Sequence, residues 1–219
     1  MEISKYKKTI PEKVYNHLDK RIKSFRPSQY KAIESGIFEN KNILVCTPTA
    51  SGKTLVGEFA IMNAIFHNNG KCVYVVPLKA LASEKYNHFK KIHSFKTAIT
   101  SGDIDSDDSY LSNYDLIITT SEKFDSLIRH KVEWLSKVKV VVIDEIHLLN
   151  DSDRGPTLEI IITLLRLLNK NVQIVGLSAT VGNPGILADW MDAELILDDW
   201  RPVKLKKGII LDNQIEFYE

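Results

Sequence analysis

Residues 42–67 read NILVCTPTASGKTLVGEFAIMNAIFH. The first six, 42–47, are apolar and β-branched and too few for a helix, which suits a strand buried on both faces. From Lys53 to His67 the apolar residues recur at three-to-four spacing, the period of an amphipathic helix. Between the two, Gly52-Lys53-Thr54 closes a tight turn. In that setting backbone N–H groups can surround a phosphate, the lysine can reach its β/γ oxygens, and the threonine hydroxyl can bind Mg²⁺. Thr47 departs from the usual pattern, which has a glycine there.

The alternation continues along the chain. Strands are expected at 72–77, 97–100, 115–120, 138–145 and 171–180, and helices at 79–92, 121–130 and 156–168. Strands separated by helices of this length make an α/β fold with a mainly parallel sheet covered on both faces, and ligand sites at the carboxyl ends of the strands. The polar stretch 101–114 reads as a surface connection, and Ser121 is expected to cap the helix that follows it. After DWRPV (199–203) the residues alternate around Asp212-Asn213, which suggests a β-hairpin at the domain edge. One domain over 1–203 with an extension over 204–219 accounts for 219 residues.

Lys plus Arg (29) balance Asp plus Glu (28), so a nucleic-acid partner would have to be gripped by a local patch rather than by a bulk field. Cys46 and Cys72 lie in apolar runs and read as core thiols in a reducing compartment. The amino-terminal stretch is charged throughout, and no apolar run approaches the roughly 20 residues of a membrane span. A soluble, cytoplasmic protein is expected.

A second acidic feature completes the pattern. In VKVVVIDEIHLL (138–149), Asp144 and Glu145 stand at the carboxyl end of an apolar strand, the Walker B arrangement. Asp144 is placed to hold the Mg²⁺ shell, and Glu145 to orient or deprotonate water. Acids also favour a first helical turn. The upstream Gly52-Lys53-Thr54 makes the metal reading the stronger one.

Six segments then resemble a known family. PTASGKT (48–54), VPLKALASEKY (76–86), TTSEKFDSLIR (119–129), DEIH (144–147) and LSATVGNP (177–184) look, in order, like motifs I, Ia, Ib, II and III of superfamily 2 nucleic-acid helicases. RPSQYKAIESG (26–36) resembles the glutamine motif that precedes them. The nearest resemblance is to the archaeal Hjm-type DNA repair helicases, relatives of the superkiller-type RNA helicases, and it covers about residues 25 to 208.

The resemblance implies a RecA-like P-loop NTPase fold with ATP and Mg²⁺ as cofactors. Pro48, Thr49, Ala50, Ser51 and Gly52 would form the phosphate turn, with Thr47 an accepted variant. Lys53, Asp144 and Glu145 would be catalytic, and Thr54 and Asp144 the metal ligands. Gln29 would read the adenine edge from a helix beginning near Ser28, with Phe25 or Tyr30 stacking on the ring. Pro77, Leu78, Lys79, Ala80, Gly102, Thr119, Thr120, Ser121 and Lys123 would lie along one nucleic-acid strand, aided by Arg129. His147, Ser178, Ala179 and Thr180 would couple the nucleotide to that strand, although Thr180 can equally cap the following helix.

The function implied is the ATP-binding motor domain of a helicase that unwinds DNA 3′–5′ in replication-fork repair. Its partners would be single-stranded or forked DNA, with RNA not excluded, and a second RecA-like domain. No second such sheet is legible in these residues, which points to an excised piece or a natural half, weak or inactive by itself. The alternative is a non-catalytic nucleotide-binding module that docks on a partner chain; the complete set Lys53, Thr54, Asp144 and Glu145 argues against it.

Overall fold

Seven parallel strands carry the fold. The computed structural model describes residues 1–68, 70–101, 108–211 and 214–218. The strands are β1 (Ile43–Cys46), β2 (Lys71–Val76), β3 (Thr97–Thr100), β4 (Leu116–Thr120), β5 (Val138–Asp144), β6 (Gln173–Ser178) and β7 (Glu194–Leu197). They pair in the order β3-β4-β2-β5-β6-β1-β7, every neighbour parallel. Side chains that alternate along each strand divide into two cores. Ile43, Val45, Tyr74, Val142 and Leu177 face one side, and Leu44, Val73, Val141, Ile143 and Ile174 the other.

Helices cover both faces, as parallel sheets require. The first core is closed by α1 (Glu12–Asp19), α2 (Pro27–Glu34), α3 (Lys53–Asn68) and α4 (Lys79–Ile92), through Val14, Leu18, Ala32, Phe59 and Phe89. The second is closed by α5 (Ser121–Arg129), α6 (Gly155–Leu168) and α7 (Pro184–Met191), through Phe124, Leu127, Ile161, Ile162 and Met191. Fully burying each such apolar side chain is worth roughly 1.5–3 kcal/mol. Cys46 and Cys72 are buried free thiols, as expected.

Several local expectations are corrected. The cap of α5 is Thr120, with extended backbone and a hydroxyl that accepts from Lys123 N; Ser121 is the first helical residue. Thr180 does not cap α7, which starts at Pro184 behind Asn183. Phe25 is sealed in the core, edge-on to Tyr6 and Phe59, and is unavailable to stack on a ligand. Gly102, with the rest of 102–107 in the 101–114 connection, and the Asp212-Asn213 turn lie outside the described residues.

The expected hairpin exists as β8 (Lys207–Leu211) and β9 (Gln214–Tyr218), an antiparallel pair forming its own sheet. Its Ile209, Ile210, Leu211, Ile215 and Phe217 are 57–71% exposed. No helix among the described residues is long and apolar enough to cross a membrane.

Candidate nucleotide site and nucleic-acid face

The turn from β1 into α3 is held from within by Thr47. Its N–H donates to Ser178 O (3.3 Å), its hydroxyl pairs with Ser51 Oγ (2.7 Å), and its carbonyl accepts from Lys53 Nζ (3.0 Å). Thr47 is fully buried and contributes three contacts that position the loop and its lysine. Ala50 (φ 63°) and Gly52 (φ 94°) both take left-handed backbone, so N–H groups turn into a concave anion-binding nest. Pro48 and Ser51 are buried beneath it, while Thr49 and Ala50 lie open at its rim.

From the other side, α2 grips the loop. Arg26 Nη1 donates to Ala50 O (2.8 Å), and Gln29 Nε2 donates to Gly52 O (3.1 Å). Gln29 Oε1 accepts from Arg26 N (2.9 Å), reaching back from the third helical position as in a capping box. Gln29 is therefore buried and shared between helix and loop. A Cβ on Gly52 would come within 2.5 Å of Gln29 Nε2, so this approach needs glycine twice over, for φ and for space.

The acids stand two strands away. Register pairs Cys46 of β1 with Ser178 of β6, and Leu177 of β6 with Asp144 of β5, so β6 carries Ser178 between the loop and the acids. Asp144 Oδ2 accepts from Tyr74 Oη (2.9 Å) and lies 3.0 Å from Lys85 Nζ. The same ammonium donates to Thr54 Oγ1 (3.2 Å). Thr54 and Asp144 thus converge on one cation, which is the test the proposed Mg²⁺ ligands must meet, and both present the hard oxygens the ion prefers. No cluster of three or more metal-binding side chains exists among the described residues. Mg²⁺ held by one carboxylate, a hydroxyl and substrate phosphates needs none.

Glu145 follows with φ 53°, a left-handed backbone that strains a non-glycine residue and is typical of functional positions. Its N–H donates to Asp144 Oδ1 (3.1 Å), and its carboxylate stays one-third exposed. His147 Nδ1 lies 3.3 Å from Glu145 Oε2 but at an angle that makes no hydrogen bond. Burial pulls the Lys53 ammonium below the ordinary lysine range, and Glu145 and Asp144 partly restore it. Burial, then Asp144, pushes the Tyr74 hydroxyl well above its usual value, so it remains a donor. Ser178 Oγ is buried without a hydrogen-bond partner among the described residues, Ala179 is half-buried, and Thr180 is exposed.

Two further turns sit side by side, since β2 and β4 pair with Val75 opposite Thr119 and Val76 opposite Thr120. After β2, Pro77 is half-buried and Leu78, Lys79 and Ala80 are exposed. At the end of β4 and the start of α5, the side chains of Thr119, Thr120 and Ser121 are buried. Lys123 is buried too, ion-paired with Asp108 at 2.7 Å. Arg129 does not join them. It ends α5, about 12 Å from its start at 1.5 Å per residue, and pairs with Asp125.

Three contributors escape the sequence: the Thr47 carbonyl, Arg26 and Lys85. Arg26 and Lys85 stand inside the segments 26–36 and 76–86 but nothing in those segments marks their contacts, and Thr47 shows only as a departure from the usual pattern. Size would also mislead. A cavity of about 1070 Å³ opens at the amino-terminal ends of the strands, among Lys41, Lys139, Lys170 and Glu194. One of about 420 Å³ lies beside His147, Val181 and Trp190.

Known proteins are similar to this chain. The ATP-dependent DNA helicase Hel308 of Methanocaldococcus jannaschii is 55% identical over 205 residues, 90% of this chain and 17% of the relative. Hel308 of Pyrococcus horikoshii is 53% identical over 213 residues, 96% and 29% respectively. The chain therefore spans less than a third of the length of these relatives. Among solved structures, the DUF1998 helicase MrfA bound to DNA matches with a TM-score of 0.72 at 25% identity, covering 87% of this chain and 30% of that one. Residues 26–186 match the DEAD/DEAH box helicase model, and the chain belongs to that family.

Proposed function

We propose that residues 1–203 are the ATP-binding motor domain of an ATP-dependent DNA helicase, and that 204–219 are an edge extension. The reading rests on one observation: Thr54 Oγ1 and Asp144 Oδ2 converge on a single cation beside the Lys53 loop. Lys53 would leave the Thr47 carbonyl for the β/γ-phosphate oxygens, with the loop N–H groups around them. Mg²⁺ at Thr54 and Asp144 would neutralise charge on those oxygens. Glu145 would orient the attacking water and accept its proton.

Gln29 would exchange its hold on the loop for the adenine edge, with Tyr30 left as the stacking candidate. The exposed Leu78–Ala80 turn and the α5 amino terminus would grip single-stranded or forked DNA, with Lys123 reaching a phosphate only by leaving Asp108. Ser178 Oγ, with unused bonding capacity, and His147 would carry phosphate status toward that face. A second RecA-like domain would close the opposite wall, supply arginines, and give 3′–5′ unwinding in the cytoplasm.

ATP hydrolysis by this chain alone, and by the chain combined with a second RecA-like domain, tests the reading. Turnover is expected to be weak in the first and stimulated by single-stranded DNA in the second, and Glu145→Gln is expected to abolish it. A combined assembly that single-stranded DNA does not stimulate would sink the helicase reading; turnover surviving Glu145→Gln would sink only the base assignment. Competition between matched DNA and RNA strands decides the substrate.

A further inference from the structure

Four elements meet at the proposed metal position, and one contributes a positive charge. Thr54 comes from α3, Asp144 from β5, Tyr74 from β2 and Lys85 from α4. Lys85 Nζ lies 3.0 Å from Asp144 Oδ2 and 3.2 Å from Thr54 Oγ1, and stands 5.6 Å over the Tyr74 ring. Its side chain is only 13% exposed. This ammonium uses the two oxygens that Mg²⁺ would need at about 2.0–2.1 Å. An ion so placed would fall on or beside Nζ, and two cations a few ångströms apart in a part-buried site repel strongly.

We infer that Lys85 is a tethered competitor for the metal: it holds Thr54 and Asp144 facing one another, and it must withdraw when Mg²⁺ enters with nucleotide. This rests on the proposed assignment of Thr54 and Asp144 as metal ligands and adds a positioning residue to them. Withdrawal has a direction. Lys85 sits about 9 Å along α4 from Lys79 at 1.5 Å per residue, and α4 begins with the exposed Leu78–Ala80 turn. Loss of the Lys85–Asp144 pair therefore loosens α4 from the nucleotide site at the helix that carries the proposed nucleic-acid turn.

The test uses the 219-residue chain and a fluorescent ADP analogue, with Mg²⁺ titrated from an EDTA-treated start. Lys85→Met is expected to lower the Mg²⁺ midpoint about tenfold, the scale set by removing one like charge at this range. ADP affinity in EDTA should change much less, and Lys85→Arg should keep the wild-type midpoint; a packing role would not sort these variants by charge. Should Lys85→Met melt early without Mg²⁺, Lys85→Gln makes the same comparison with a neutral hydrogen-bonding side chain. A midpoint that is unchanged or raised in the neutral variants overturns the proposal. Wild-type chain that binds no ADP in either condition overturns the nucleotide reading itself. Amide exchange along α4 should rise when Mg²⁺ and ADP bind wild type and stay flat in Lys85→Met; equal behaviour in both overturns the link to α4.

Discussion

At the scale of single residues, the phosphate turn depends on a few positions that allow no alternative. Gly52 combines φ 94° with a neighbour 2.5 Å from where a Cβ would stand. Gly52→Ala must therefore strain the backbone by about 1–3 kcal/mol and push Gln29 and Arg26 from the loop. We expect at least a tenfold loss of ADP affinity by calorimetry; wild-type affinity would mean the loop does not use this conformation to bind. Gly52, Lys53, Thr54, Asp144 and Glu145 were legible because their chemistry is contained within two short segments. Thr47 was legible only as an anomaly. Its carbonyl holds Lys53 through a backbone atom that no residue type announces. Lys85 stood inside the 76–86 segment, but its role was silent, since its partners come from α3 and β5, distant in sequence.

Among elements, β1, β2, β4 and β6 were readable because every residue is buried and the runs are apolar and rich in β-branched side chains. Two elements were not. The edge strand β7, Glu194–Leu197, buries only Ile196, and α7 opens with Pro184-Gly185, which reads as loop until packing fixes it. The α5 cap slipped by one residue because Thr120 and Ser121 offer equivalent hydroxyls, and only backbone geometry separates them. Packing of α3 against α4 involves a buried charge. Glu58 lies 2.8 Å from His88 Nε2, 3.2 Å from His93 Nε2 and 3.4 Å from Arg21, and His93 stacks on His17 of α1. Burial raises its carboxyl, but His88, His93 and Arg21 outweigh that and take it to about 2 from the usual 4.5. A depressed folded value means the stabilisation is complete above 4.5 and is lost as pH falls toward 2. Urea midpoints should fall across that window in wild type and fall less in Glu58→Gln, which starts less stable at neutral pH; parallel curves would remove Glu58 from the acid response.

For the whole molecule, parallel pairing brings the β1 loop, the β5 acids and the end of β6 to one edge of the sheet. Strand-helix alternation was enough to foresee that edge; the strand order was not, because pairing partners lie far apart in sequence. The near-balance of charge is compatible with the proposed nucleic-acid face, which is built from local turns. The hairpin β8–β9 stands outside both cores. Removing 204–219 should shift the melting temperature by less than about 2 °C, since little burial is lost; a larger drop would make the hairpin part of the domain. That same hairpin governs how the protein behaves in a tube. A two-stranded ribbon with unpaired edges and five apolar side chains in water is where copies meet first as concentration rises. Light scattering should climb with protein concentration for the 219-residue chain and stay flat for the shortened one, so solubility is set by the tail and not by the motor.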